Sequence, residues 1–213
     1  YLHLYTANTV KTTIGGKAFE LKTTTNYPWD GTVNLSFTSD EPISFTLYVR
    51  IPAWCKQPNV SINNKQFTFT AKDLVKGYLP IERVWKSGDE LTLNLPMEVR
   101  FIQAHPAVRQ NTGRVAVARG PMMYCFEEVD NGKRLQDVVL DTHASAEVVW
   151  KDDLLGGVQV IKLKGTSRSL SQWEDVLYQE VEPEWEQRPL TAIPYFTWSN
   201  RALGEMIVWI RNT

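Results

Sequence analysis

The sequence predicts an all-β protein made of two consecutive antiparallel β-sandwich units with little or no helix. Three observations predict it. Apolar residues alternate with polar ones in several short runs, the period of a half-buried strand. Asn, Gly and Asp cluster between those runs, where tight turns need them. The 213 residues also suit two sandwiches of about 100 residues each.

Each element follows from its local pattern. The opening YLHLYTANTV has no initiator methionine and reads as the tail of an element that begins upstream, so residues 1–14 are set apart from residues 15–107, the first sandwich. In ISFTLYVRI, Ile43, Phe45, Leu47, Val49 and Ile51 share one face. VSINNKQFTF places Val60 and Ile62, then Phe67 and Phe69, around Asn63-Asn64, a pair that tolerates the positive φ of a hairpin turn. TAKDLVKGY supplies one helical turn at most. KSGDELTL and VDNGKRL carry further turn chemistry. LTLNLPMEVRF reads as one long strand with Leu91, Leu93, Leu95, Met97, Val99 and Phe101 on one face. Alternation stops at HPAVRQNTG, the best internal boundary, so residues 108–213 form the second sandwich; a return of the last strand to the first sandwich is left open. LSQWEDVLYQEV, Leu170 to Val181, has helical spacing at Leu170, Trp173, Leu177 and Val181, yet its β-forming residues and β neighbours favour a strand.

Bulk properties exclude several function classes. Twenty-three basic against 24 acidic residues leave a net charge of −1, and no basic cluster stands out, which argues against nucleic-acid or anionic-membrane surfaces. No apolar run approaches the roughly 20 residues that span a bilayer. No signal peptide is visible, so localisation is not legible and any targeting signal is expected upstream. Only Cys55 and Cys125 are present, too few for a disulfide framework and too far apart for a zinc-binding pair, so two buried free thiols are expected, with a single bridge between them as the alternative.

The search for chemistry returns no catalytic and no metal residue. His3, His105 and His143 stand at no ligand spacing, and no hydrolase, zincin or phosphate-cradling motif occurs. A glycosidase pair needs two carboxylates flanking one bond, but spacing along strands cannot assemble one; EPEWEQ (Glu182 to Gln187) reads as a solvated acidic loop and Asp30 as a turn residue. Sequons at Asn34 and Asn59 matter only in a glycosylating host. Eight tryptophans and eight tyrosines invite a sugar platform, because a sugar stacks its C–H face on an exposed ring. Trp54, Trp85 and Trp198, which flank turns or strand ends, are the candidates, against the competing reading that large aromatics fill cores.

Six strings in order carry a family resemblance: YPWDG (Tyr27 to Gly31), YVRIPAWC (Tyr48 to Cys55), GYLPIERVWKSGDELTLNLPMEVR (Gly77 to Arg100), HPAV (His105 to Val108), GRVAVARGPMMYCFE (Gly113 to Glu127) and IPYFTWSNRALGEMIVWI (Ile193 to Ile210). Together they resemble the C-terminal β region of glycoside hydrolase family 127, the β-L-arabinofuranosidase-like enzymes, with Ala202 standing where the family pattern prefers glycine. The resemblance implies an upstream (α/α)₆ barrel that carries the active site, to which residues 1–14 would connect. It implies a cysteine nucleophile held as a thiolate by zinc, with a glutamate and an adjacent Cys-Cys pair. None of these maps onto this sequence, so zinc is expected in the barrel and no cofactor here.

The resemblance therefore implies a non-catalytic region that braces the barrel or forms an oligomer contact, in a parent that cleaves β-L-arabinofuranosyl linkages. The expected partners are the barrel of the same polypeptide, plant-derived arabinose-containing glycans and a second copy of the chain, with no nucleic acid and no membrane. Leu2 and Leu4 in the opening segment, and Tyr27 and Trp29 on the YPWDG turn, are expected on the barrel-facing surface. An independent carbohydrate-binding module with an exposed aromatic platform is the alternative.

Overall fold

The chain folds as two units, Tyr1–Glu98 and Val99–Thr213, each with its own set of paired strands. The structure, a computed structural model, describes residues 1–171, 173, 177–178, 180, 182 and 184–213. The strand expected over Leu170–Val181 falls largely outside the described residues.

The first unit is a sandwich built by alternation. Its strands are β1 (Asn8–Ile14), β2 (Lys17–Thr25), β3 (Thr32–Ser39), β4 (Ile43–Arg50), β5 (Asn59–Ile62), β6 (Lys65–Phe67), β7 (Tyr78–Trp85) and β8 (Glu90–Asn94). One sheet has the order β1-β2-β3-β8-β5-β6, and β4 pairs with β7 in the other. Val33, Leu35 and Phe37 of β3 point inward with Leu91 and Leu93 of β8. They share one core cluster with Leu47 and Val49 of β4 and Leu79 and Ile81 of β7. Burying such faces is the main source of stability, at about 25 cal/mol per Å² of apolar surface. The Asn63-Asn64 turn has φ of 51° and 62°, as its hairpin role requires. Gly31 is needed for close approach, since a Cβ there would collide with the backbone carbonyl of Leu95.

Two sequence boundaries are corrected. Residues 1–14, set apart from the first sandwich in the sequence reading, belong to the first unit. Residues Asn8–Ile14 pair along their whole length with β2, Leu2 bridges Val49, and Tyr5 is buried in the core. LTLNLPMEVRF is not one strand: β8 ends at Asn94, and the next strand, β9 (Val99–Gln103), belongs to the second unit. Pro96, which has no N–H to donate to a ladder, lies in the break. The units therefore part at Glu98/Val99 rather than at 107/108, and HPAVRQNTG is the connection of a β-hairpin.

The second unit adds β10 (Arg114–Arg119), β11 (Met122–Glu127), the four-residue helix α1 (Glu128–Asn131), β12 (Val139–Leu140), β13 (Glu147–Lys151), β14 (Val158–Arg168), β15 (Trp185–Pro194), β16 (Met206–Ile207) and β17 (Trp209–Asn212). Pairing runs β11-β15-β14-β12-β17-β10, and β10 pairs back to β11, so the strands form a partial barrel. The β12–β17 pair is parallel and the others in this ring are antiparallel. The last strand stays in this unit, on β10 and β12. Val115 to Ala118 are all buried, as fits a strand covered on both sides. Among the described residues no helix is long and apolar enough to cross a membrane.

Candidate functional site

Among the described residues, a stretch in each unit holds several exposed aromatic or apolar side chains. In the first unit the opening segment is tied to β4 by its backbone. The Leu2 N–H donates to the Tyr48 carbonyl at 2.8 Å, and the Arg50 N–H donates to the Leu2 carbonyl at 3.3 Å. This pairing stacks Tyr1 on Tyr48, with centroids 4.3 Å apart, and brings His3 Nδ1 within 2.8 Å of the Tyr78 hydroxyl. Tyr5 reaches inward and donates its hydroxyl hydrogen to the Arg50 carbonyl. Its ring meets Tyr27 edge-on at 5.6 Å. Burial pushes both phenols up, Tyr5 furthest; for Tyr27 a hydrogen bond with the Trp54 side chain opposes it.

The four residues expected on an interface behave differently. Leu4 is 70% exposed. Leu2, Tyr27 and Trp29 are half-buried, and of these Leu2 and Tyr27 pack against the unit's own core. The YPWDG turn is closed by the Trp29 N–H donating to the Asn26 carbonyl at 2.9 Å, while Asp30 Oδ1 accepts from the Thr32 N–H at 2.6 Å.

The three platform tryptophans also separate. Trp85 is corrected: it is 1% exposed and so presents no face to a sugar. It stacks on Phe37 at 4.2 Å, its indole N–H donates to the Phe45 carbonyl at 3.3 Å, and Arg83 lies 5.1 Å over its ring. The reason is parity, because Trp85 falls on the same face of β7 as Leu79 and Ile81. Trp54 is half-buried against the first core. Trp198 is 40% exposed.

Trp198 belongs to the second such stretch, the loop after β15. Tyr195 and Trp198 lie near-parallel, 25° apart with centroids at 6.2 Å. Phe196 and Leu203 of the same loop are also exposed. The loop hangs from α1 and the end of β11. Arg201 donates to Glu127 and Asp130, at 2.5 Å each. The Ser199 N–H donates to Glu127 Oε1 at 2.8 Å, with Ser199 in the left-handed region at φ 62°. The Glu205 N–H donates to Glu128 Oε2 at 3.0 Å. The Asp130 and Glu127 carboxylates raise the Arg201 pKa, in spite of partial burial. Glu127 and Asp130 are thus committed to holding the loop. Tyr195, Phe196 and Leu203 escaped the sequence reading because a loop has no periodicity to sort its residues; three aromatics within four positions were the only signal.

The cysteines are buried free thiols. Burial pushes Cys55 up and carries Cys125 to about 12, with Glu127 adding to the shift. A thiolate nucleophile needs the opposite environment. Among the described residues no three His, Cys, Asp or Glu side chains gather to hold a metal. The residues present therefore do not fit a zinc-held thiolate.

Sequence comparison matches residues 1–97 to the β-L-arabinofuranosidase GH127 middle domain and residues 99–211 to the glycoside hydrolase family 127 C-terminal domain. A non-reducing end β-L-arabinofuranosidase of Bifidobacterium longum subsp. longum is 34% identical over 98% of this chain and 32% of its own length. The crystal structure of a GH127 β-L-arabinofuranosidase from Geobacillus stearothermophilus T6 superposes with a TM-score of 0.96 at 44% identity, covering 99% of this chain and 33% of that one. A second solved GH127 β-arabinofuranosidase gives 0.88 at 30% identity, over 99% and 34%. The chain spans about a third of the length of these relatives.

Proposed function

The chain belongs to glycoside hydrolase family 127, and we propose that it is the non-catalytic β region of a larger enzyme that cleaves β-L-arabinofuranosyl linkages. Its first unit packs through Leu2, Leu4, Tyr27 and Trp29 against the remainder of the polypeptide and braces the catalytic part. Similarity to proteins named as β-L-arabinofuranosidases supports the substrate class. The observation that carries the bracing role is Leu4: its side chain is 70% exposed, while the backbone on both sides is fixed by the Leu2 pairing and the buried Tyr5. An apolar group held rigidly in water fits a surface that another surface covers. Interdomain contacts of about 600–1,500 Å² are typical for such packing.

Leu4→Asp tests the role by contrast. In the isolated chain the substitution is expected to change stability by no more than about 0.5 kcal/mol, as for other exposed sites. In the full-length enzyme it is expected to lower the thermal midpoint by several degrees. Equal, small effects in both proteins would overturn the bracing role. A concentration-dependent dimer of the isolated chain that Leu4→Asp dissolves would assign the face to a second copy instead.

A further inference from the structure

We infer that the loop Tyr195–Gly204 is a carbohydrate-binding platform in its own right, on which Tyr195 and Trp198 stack the rings of an arabinofuranosyl-containing glycan. Four observations converge on it. The two rings are stacked near-parallel, 25° apart with centroids at 6.2 Å, and both are about 40% exposed, so the pair presents apolar ring surface to solvent. Each ring carries a polar handle at its edge, the Tyr195 hydroxyl and the Trp198 indole N–H. That combination matches a sugar, whose C–H face is apolar and whose rim is polar.

The loop is also preorganised. Its carboxylate anchors fix Ser199, Arg201 and Glu205. The Asn200 side-chain amide donates to the Thr197 and Trp198 carbonyls at 3.0 and 3.1 Å. A ligand with few contacts gains most from a surface that is already ordered, because little freedom is lost on binding. Finally, the charge is net negative. Arg201 is the only ionisable cation between Tyr195 and Gly204, and it is paired with two carboxylates. A neutral ligand suits such a surface better than an anionic one. Phe196 and Leu203 of the same loop are exposed as well.

The choice of arabinofuranosyl units rests on the family reading above, whereas the platform rests on the loop geometry. The test is a titration of the chain, ¹⁵N-labelled, with an α- or β-linked arabinofuranosyl oligosaccharide, following the backbone amide resonances of the loop in every variant and the Trp198 indole N–H where it is present. A saturable shift with a dissociation constant near or below about 1 mM is expected. Trp198→Ala and Tyr195→Ala are each expected to weaken binding about tenfold or more, Tyr195→Phe, which keeps the ring and loses the hydroxyl, less than either, while Trp150→Phe on β13 retains it. Thermal melts of the two alanine variants establish that each is folded. No saturation by about 10 mM would overturn the proposal, and so would binding that survives both alanine variants. Equal binding of a cello-oligosaccharide would overturn the ligand class. Self-association that Phe196→Ser and Leu203→Ser abolish, with no sugar shift, would assign the patch to a protein surface. Hydrolysis by the full-length enzyme is measured separately, so loss of sugar binding here and loss of the family activity are distinguishable.

Discussion

The opening segment of the first unit and the Tyr195–Gly204 loop of the second both hold large apolar groups in water, but by opposite means. The first is fixed mainly by uncharged interactions, in which Leu2 adds a bridge beside β4, Tyr1 stacks on Tyr48, and Tyr5 fills the core. The second is fixed by charge, with Arg201 between Glu127 and Asp130. Uncharged packing fails gradually as its parts are removed. A partly buried ion cluster fails abruptly, because removing one partner leaves the others desolvated and unpaired. The two surfaces should therefore answer very differently to single substitutions, pH and thiol reagents.

The largest effect is expected at the charge cluster. Arg201→Ala strands two carboxylates whose side chains are only 7% and 20% exposed, and breaking such a buried pair costs about 3–5 kcal/mol. Urea unfolding of the variant against wild type measures it. The cysteines make the comparison local, since Cys125 on β11 lies two residues from Glu127, whereas Cys55 belongs to the first unit's core. Both are expected to resist alkylation in the native protein at neutral pH, because burial disfavours the thiolate. In Arg201→Ala, Cys125 should label faster and Cys55 should not. Equal acceleration at both would show that the two surfaces are not independently held.

Asp89 sharpens the comparison from within the first unit. Burial alone would raise its pKa, yet hydrogen bonds from the Asn63 amide and the Lys86 N–H, together with the Arg83 charge, hold it below the ordinary value. A depressed folded-state pKa means stability that is fully present above the ordinary carboxylate pKa of about 3.9 and lost as pH falls through the folded value. Denaturation midpoints of wild type should therefore decline from pH 5 towards pH 2 more steeply than those of Asp89→Asn. Parallel declines would show that Asp89 contributes nothing to the acid sensitivity. A modest effect is expected for Cys55→Ala, about 1 kcal/mol from lost packing, read by the same denaturation experiment.

What the sequence made legible was whatever repeats with period two. The inward faces of β4 and β7 follow from ISFTLYVRI and GYLPIERVW, and the Asn63-Asn64 hairpin from turn chemistry alone. Parity would also have placed Trp85 inside, had it been counted along β7 rather than judged by its place at a strand end. The division at Glu98/Val99 was hidden because Leu91 to Phe101 keep the alternation across Pro96, although β8 and β9 take their partners in different units. The loop site was least legible. Arg201 meets Glu127 and Asp130 more than 70 residues away, and no local pattern encodes a contact of that separation. Only its aromatic density, with Trp198 among the rings, pointed to it.

Under the proposed supporting role, the chain is silent by itself. Hydrolysis of an aryl β-L-arabinofuranoside by the purified chain, with and without added zinc, decides this, beside a full-length family member as positive control. The buried thiols and the lack of a metal-holding cluster among the described residues predict no turnover above background in either condition. Zinc-dependent turnover that survives repurification of the chain would contradict the non-catalytic role.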